Sequence, residues 1–256
     1  MFAPLIDQKL SIHIIYRSYN GCDVSIRDSV LDAERKLYPA NVARNVARLL
    51  SWTKYILIAD YEYVFSEGFE AQMLKECANV LNRHPKTALV FRIFEAKGSI
   101  KDMPRRKERL YEMFKKGDAV EFHARYAAGA HSIPGLQEWF QKNDTHENQS
   151  TILLYKRYNW EPQFVSLSTI PLHDENFPFA IRDNTELRWE MCRLNYTFVL
   201  VDSVFMVHPG IKRPSGEDDR RKRIAQGWFR HALKQFKRRM QQCCADTQDI
   251  CPRFGA

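Results

Sequence analysis

The 256-residue chain has no apolar run near the roughly 18 residues that a membrane-spanning helix requires. No charged n-region, apolar h-region and cleavage site open it either, so as written it reads as a soluble chain without signal or anchor. None of its six cysteines (Cys22, Cys77, Cys192, Cys243, Cys244 and Cys251) forms a C-x-x-C pair, which argues against structural zinc. The even count permits disulfides without fixing their pairing. There is no internal repeat and no low-complexity linker, so one domain over 1–217 with a C-terminal appendage over 218–256 is the economical reading.

Charge is concentrated. Between Lys212 and Arg239 stand eleven lysines and arginines against three acids, a surplus equal to the whole +8 of the chain. A chain that is balanced elsewhere is not generally coated for nucleic acid; it carries one basic segment. The spacing of Ile224, Trp228, Ala232, Leu233 and Phe236 predicts an amphipathic helix from Asp218 to Arg239, packed on the domain with its cations in water. Sequons at Asn143, Asn148 and Asn195 lean towards a secretory compartment.

The chemistry centres on residues 54–65. Tyr55 to Ala59 is an unbroken apolar run, suited to a strand buried on both faces of a parallel sheet. It ends on Asp60 and Glu62, at the strand end where open α/β sheets bind ligands. Two carboxylates there can hold a divalent cation. Leu10–Tyr16 is expected as a strand, followed by a turn at Asn20-Gly21. A helix runs from Pro39 to about Leu50, with Val42, Val46, Leu49 and Leu50 as its apolar stripe and Asn41, Arg44, Asn45 and Arg48 as its polar face. Ser66 is the expected N-cap of a helix to about Arg83, in which Cys77 is a core thiol. Thr87–Phe94, Thr151–Tyr155, Gln163–Ile170 and Thr197–His208 read as further strands, and Trp139 and Phe140 as anchors of the helical stretch between. The alternation predicts an α/β fold with a mostly parallel sheet.

The order of short motifs resembles glycosyltransferase family 49. Tyr38-Pro39-Ala40-Asn41 with Arg44-Asn45-Val46-Ala47 looks like its Y-P-x-N-x-x-R-N-x-A helix, and the Asp60 strand falls where the family carries D-x-D. Phe122-His123, His131 and Trp139 resemble its F-H…G-H…W segment. Glu161-Pro162, Pro171–Phe177 and Val207–Lys212 match its later motifs, and Trp228–Lys237 its closing tail. The sequence departs from the pattern at Glu62, which replaces an aspartate, at Ala127 and Ala130, and after Phe177, where Pro178-Phe179-Ala180-Ile181 stands in place of a glycine-rich turn.

The resemblance implies a GT-A-like fold, flanked by helices, that moves a sugar, glucuronate as first expectation, from a UDP-sugar to a hydroxyl of a glycan or glycoprotein. It implies inversion and Mn²⁺. Asp60, Glu62 and His208 are then the metal ligands, and Asn41, Arg44, Asn45 and Asp60 the donor-binding residues. Glu175, with Asp174 beside it, is the candidate base. The family sits in the Golgi lumen as type II membrane proteins, and its first strand-helix unit is expected to be missing here, with Phe2-Ala3-Pro4 as a remnant. Two other classes fit parts of the sequence: a catalytically inactive relative that binds a glycan or partner, and a nucleic-acid-binding protein using residues 212–239. The second lacks aromatic-basic RNA motifs.

Overall fold

The computed structural model describes residues 9–15, 38–142 and 151–254. Phe2–Pro4, Tyr16, the Asn20-Gly21 turn, Cys22 and the sequon residues Asn143 and Asn148 lie outside them.

One long strand organises the molecule. β3 (Thr87–Ala96) is buried at all ten positions, because both faces of the sheet are covered. It lies between β6 (Gln163–Leu167) and β7 (Thr197–Pro209) in a seven-stranded sheet. The path runs from β1 (Tyr55–Leu57) through β6, β3 and β7 to β2 (Val64–Phe65), while β4 (Ala119–Glu121) pairs with β3 and β5 (Thr151–Leu153) with β7. The sheet is mixed. Among the described residues only β3 and β7 pair in parallel; β6 returns antiparallel between β1 and β3. The expected mostly parallel sheet is therefore corrected. Apolar runs record burial on two faces but carry no information about strand direction.

Alternate residues of β3 feed different cores. Ala88 and Val90 join Trp160, Phe164, Trp189 and Phe236. Leu89, Phe91 and Ile93 meet Met73, Cys77 and Leu81, which line α2 (Phe69–Glu76) and the π-helical turn Cys77–Leu81 that continues it. Cys77 is fully enclosed and its thiol is pushed up to about 11 by burial, in keeping with a core thiol. Phe94 and Ala96 pack with Leu110 of α3 (Lys107–Lys115) and with Trp139 and Phe140 of α4 (Leu136–Gln141). Helix α1 (Ala40–Leu49) and helix α5 (Thr185–Arg193) flank the other end.

Helix α6 (Gly216–Cys243) starts at Ser215, whose hydroxyl accepts from Asp218 N at 3.2 Å. It buries Ala225, Ala232, Phe236 and Met240. Phe236 sits among Phe177, Trp189 and Phe254, and burial of such a ring contributes about 2 kcal/mol. Cys192 of α5 is disulfide-bonded to Cys251, 59 residues on, which ties the tail to the domain. Cys243 and Cys244 form a second disulfide.

Two local expectations change. Residues 10–15 form no strand; Ile12 and Ile14 are exposed, and the segment pairs with no strand of the sheet, which a β-strand requires. Ser66 does not cap α2, which starts after Gly68 at φ +69. The Ser66 hydroxyl instead accepts from Phe205 N at 3.1 Å.

Candidate functional site

Helix α1 buries its polar face. Asn41 and Asn45 are each 2% exposed, whereas Leu49 is 67% exposed. The expected order of faces is inverted, and the reason lies in the segment opposite. Residues 170–175 run past α1 without a strand partner, so their backbone groups need donors and acceptors from side chains. Arg48 donates to the carbonyls of Pro171 and Ile170, both at 2.7 Å. Asn45 brackets His173, accepting from its N–H at 2.9 Å and donating to its carbonyl at 2.8 Å. Asn41 donates to Asp174 O at 2.9 Å.

This clasp positions the candidate base. Asn45 Nδ2 also donates to Glu175 Oε1 at 2.9 Å, leaving an otherwise exposed carboxylate held at one oxygen. Asp174 is engaged differently. Its Oδ1 accepts from the backbone and side chain of Asn176, and its Oδ2 lies 3.4 Å from Arg239 of α6. Glu175 borders a cavity of about 290 Å³ whose walls include Tyr38, Asn41, Phe179, Trp228 and His231.

Arg44 faces Asp183, 2.9 Å from its Oδ2, and donates to Asn41 Oδ1 at 2.7 Å. Burial raises the Asp183 carboxyl while Arg44 opposes the rise. Asp183 Oδ1 accepts from Ala180 N at 3.2 Å. That bond shapes the segment where family members carry glycines. Ala180 at φ +80 and Arg182 at φ +59 keep left-handed backbone that suits glycine, although neither is one.

The second half of the site gathers at the carboxyl ends of β3 and β7, where Glu95 is the register partner of His208. Tyr63 is its hub. It is buried, its ring lies 5.4 Å from His208 and 5.7 Å from Phe122, and burial and then Asp60, Glu161, Glu95 and Glu62 push its hydroxyl well above the ordinary tyrosine value. His123, at φ +57, stacks on Phe122 and lies 3.2 Å from His131. Its Nε2 stands 3.8 Å from Glu95 Oε1, but this is no ion pair. Burial, with His131 and Lys212, holds His123 at about 3, so the imidazole is neutral. Burial likewise raises Glu95, which accepts from Lys212 N at 3.1 Å.

Asp60 and Glu62 lie in the turn that enters this cluster, where both act electrostatically on Tyr63, whose ring also meets His208. Their donor atoms suit a hard divalent ion in kind, and His208 Nδ1 is buried without a hydrogen-bond partner. They do not suit it in place: among the described residues no three His, Cys, Asp or Glu side chains come close enough to hold a metal. The three expected ligands all influence one tyrosine without forming one coordination sphere.

Glu161 connects the two halves. It acts electrostatically on Tyr63 and His123 on one side and on Asp183 and Arg188 on the other. Asn184 donates to its Oε1 and Thr185 to its Oε2. Arg188, among the largest fully buried side chains, donates to Pro162 O at 3.3 Å and Asn184 O at 2.8 Å. Sequence reasoning missed Glu95, Arg188 and the carboxylate of Glu161. The signal for Arg188 was a charge set between Leu187 and Trp189 in the helical run Leu187–Met191.

Residues 6–243 match the family described as glycosyl-transferase for dystroglycan. The chain is 27% identical over 203 residues to beta-1,4-glucuronyltransferase 1 of Mus musculus, covering 77% of this chain and 48% of that one. It is 25% identical over 248 residues to the Danio rerio protein of that name, covering 91% and 53%. To xylosyl- and glucuronyltransferase LARGE2s of Gallus gallus it is 21% identical over 227 residues, covering 87% and 28%. The chain thus spans about half the length, or less, of these curated relatives. A solved structure of GalNAc-T7 with UDP, GalNAc and Mn²⁺ aligns at TM-score 0.45 and 10% identity, over 84% of this chain and 38% of that one; a likeness this slight carries no argument. With the family motifs in order from Tyr38 to Lys237 and the match covering nearly the whole chain, the protein belongs to the glycosyl-transferase family for dystroglycan.

Proposed function

We propose that this protein transfers a sugar, glucuronate first among candidates, from a UDP-sugar to a glycan hydroxyl with inversion, with Glu175 as the base. The observation that supports this reading is the placement of Glu175: a carboxylate oriented by Asn45 on the wall of a cavity that can admit an acceptor. In a single displacement the acceptor oxygen bonds to the anomeric carbon as the bond to the UDP oxygen breaks. The hydroxyl proton passes to Glu175, and UDP departs with the bonding pair. Asn41, Asn45 and Arg48 fix the segment that bears the base, and Arg44 with Asp183 fixes the turn beyond it. Asp60 remains the proposed donor contact. A divalent ion, when bound, would neutralise charge on the leaving diphosphate; Asp60, Glu62 and His208, the ligands the motif order implies, would hold it only after moving together from where they stand here. An oxidising lumen such as the Golgi is the proposed setting, in keeping with the Cys192–Cys251 disulfide.

The test is a panel of UDP-sugars against β-xylosides and other simple acceptors, with and without Mn²⁺. Transfer that needs Mn²⁺ and is lost in Glu175→Gln, with UDP binding retained in calorimetry, is the expected result. Unchanged turnover in Glu175→Gln would remove the base assignment. The failure of Asp60, Glu62 and His208 to converge favours a second reading, an inactive relative that binds a glycan. Absence of both UDP and Mn²⁺ binding would select it.

A further inference from the structure

From Arg220 to Cys244 the chain contains nine lysines and arginines and no aspartate or glutamate. Helix α6 carries them, and a helix turns about 100° per residue, so their directions follow from their spacing. Ala225, Ala232, Phe236 and Met240 are buried on one side. Arg220, Arg223, Arg230, Lys234, Lys237 and Arg238 fall on the opposite side within roughly 100° of arc, and all six are exposed. They form a stripe about 27 Å long at the helical rise. Gly227 lies on the same line, where an added Cβ would meet open space.

The helix does not neutralise this stripe itself. Arg221 meets Glu217 and Asp218, and Arg239 meets Glu190 and Asp174, but neither belongs to the stripe. Among the described residues none of the six has an ion-pair partner. Arg220 and Arg223, Arg230 and Lys234, and Lys234 and Arg238 stand three or four residues apart, where like charges repel. The surroundings narrow the occupant. The Cys192–Cys251 disulfide, on which the proposed lumenal setting rests, places the chain away from nucleic acid and from the anionic cytoplasmic leaflet. The stripe has no aromatic side chain to stack on a base, and the helix has used its apolar face on the core, leaving none to enter a bilayer. A single row of cations matches a linear chain of fixed anions.

We propose that the outer face of α6 is a docking surface for a linear sulfated polysaccharide. The six cations lie along its sulfates and displace the counterions that these hold in solution. The polysaccharide is bound as a partner, not as the acceptor of a sugar. The inference stands on the charge pattern and the disulfide, and it does not require the chain to be a transferase.

The experiment is calorimetry of the intact chain with heparin oligosaccharides of graded length. Affinity is expected to rise with length until the stripe is covered, to level off beyond it, and to fall as a power of the salt concentration. Arg230→Glu with Lys234→Glu should weaken binding about tenfold or more. Arg220→Gln with Arg223→Gln, at the other end of the stripe and without charge reversal, should weaken it about threefold or more. Lys75→Glu with Lys156→Glu, at exposed positions off α6, alters the net charge as the first variant does and should weaken binding less than about twofold. Circular dichroism and the urea midpoint check that each variant folds. Absence of heparin binding by the parent chain would overturn the proposal, as would folded stripe variants that lose no more affinity than the control. Vesicles of phosphatidylserine with phosphatidylcholine, or an oligothymidylate, bound as tightly as heparin at the same salt would overturn the choice of partner.

Discussion

The two halves of the candidate site are built to different standards. Around α1, the exposed polar groups of residues 170–175 are met one by one: Arg48 takes two carbonyls, and Asn45 takes both backbone groups of His173 and the base beyond it. Around Tyr63, the expected ligands stand apart, and His208 Nδ1, His131 Nδ1 and Glu95 Oε1 are buried without hydrogen bonds. The first half pairs backbone groups of the base segment, yet Arg48 Nε, both ring nitrogens of His173 and Glu186 Oε2 are also buried there without hydrogen bonds. Both halves thus have buried polar atoms left over. An unsatisfied buried polar atom costs about 1–3 kcal/mol, so a fold keeps such atoms where something else satisfies them or where function needs them. The difference therefore lies in the side-chain clasp on the backbone of the base segment, which the expected ligands around Tyr63 lack, and not in which half keeps unpaired polar atoms.

The sharpest way to break this contrast is to remove one side chain from each half. Asn45→Ala leaves the N–H and C=O of His173 unpaired and frees Glu175, and is expected to cost about 3 kcal/mol in urea unfolding. Asp60→Ala, at an exposed turn, should cost less than about 0.5 kcal/mol yet abolish Mn²⁺ binding in calorimetry. Comparable stability losses in the two variants would dissolve the distinction between a built half and an open one.

The fate of α1 also shows how much of this was legible in the sequence. The helix itself and its four polar residues were readable from proline placement and spacing, and so was the ordering of motifs around Asp60, Glu175 and His208. Which face of α1 would be buried was not. Amphipathic reasoning sends Val42 and Val46 inward, but it cannot see an unpaired backbone segment more than a hundred residues away that needs Asn41, Asn45 and Arg48 more than the core needs two valines. Strand direction failed for a related reason: β6 enters the sheet from a distant part of the chain and reverses the direction between β1 and β3. The approach of Glu95 and Glu161 to Tyr63 was hidden because the three lie far apart in the sequence and Glu95 falls in none of the motifs. The left-handed turn at Ala180 and Arg182 was hidden because neither residue advertises positive φ.

A pH series sharpens the account of the built half. Glu186 lies under the clasp, fully buried, with Oε1 accepting from Asp174 N at 3.1 Å and Oε2 unpartnered. Burial, then Glu190 and Asp174, raises it well above the ordinary glutamate value. The folded state therefore keeps a proton that the unfolded chain releases. Stability from this group is present below the unfolded value and falls as pH rises towards the folded one, by up to about 1.4 kcal/mol per pH unit. Glu186→Gln cannot titrate, so its stability relative to the parent should grow by about 1 kcal/mol or more between pH 5 and 7. Asp183, raised in the same direction, is common to both proteins and cancels in the difference. Parallel pH profiles would show that Glu186 is already charged in the fold.

The smallest expected effect concerns the turn that bridges the halves. Ala180 holds φ +80, a region that costs a residue with a Cβ about 1–2 kcal/mol. Glycine would remove that cost but loosen the unfolded chain by about 0.4–1 kcal/mol. Ala180→Gly should therefore stabilise the protein by about 0.5 kcal/mol, with the Ala180 N–H to Asp183 bond kept. Arg182→Gly is the counterpart. The backbone gain at φ +59 is similar, but its guanidinium lies 4.6 Å from the Tyr158 ring centroid, and losing that contact costs about 0.5–1 kcal/mol. The two glycine variants should thus differ in urea midpoint, with the first above the parent and the second level with it or below. If Ala180→Gly lowers the midpoint, the turn is held by packing of the methyl group rather than limited by its left-handed backbone.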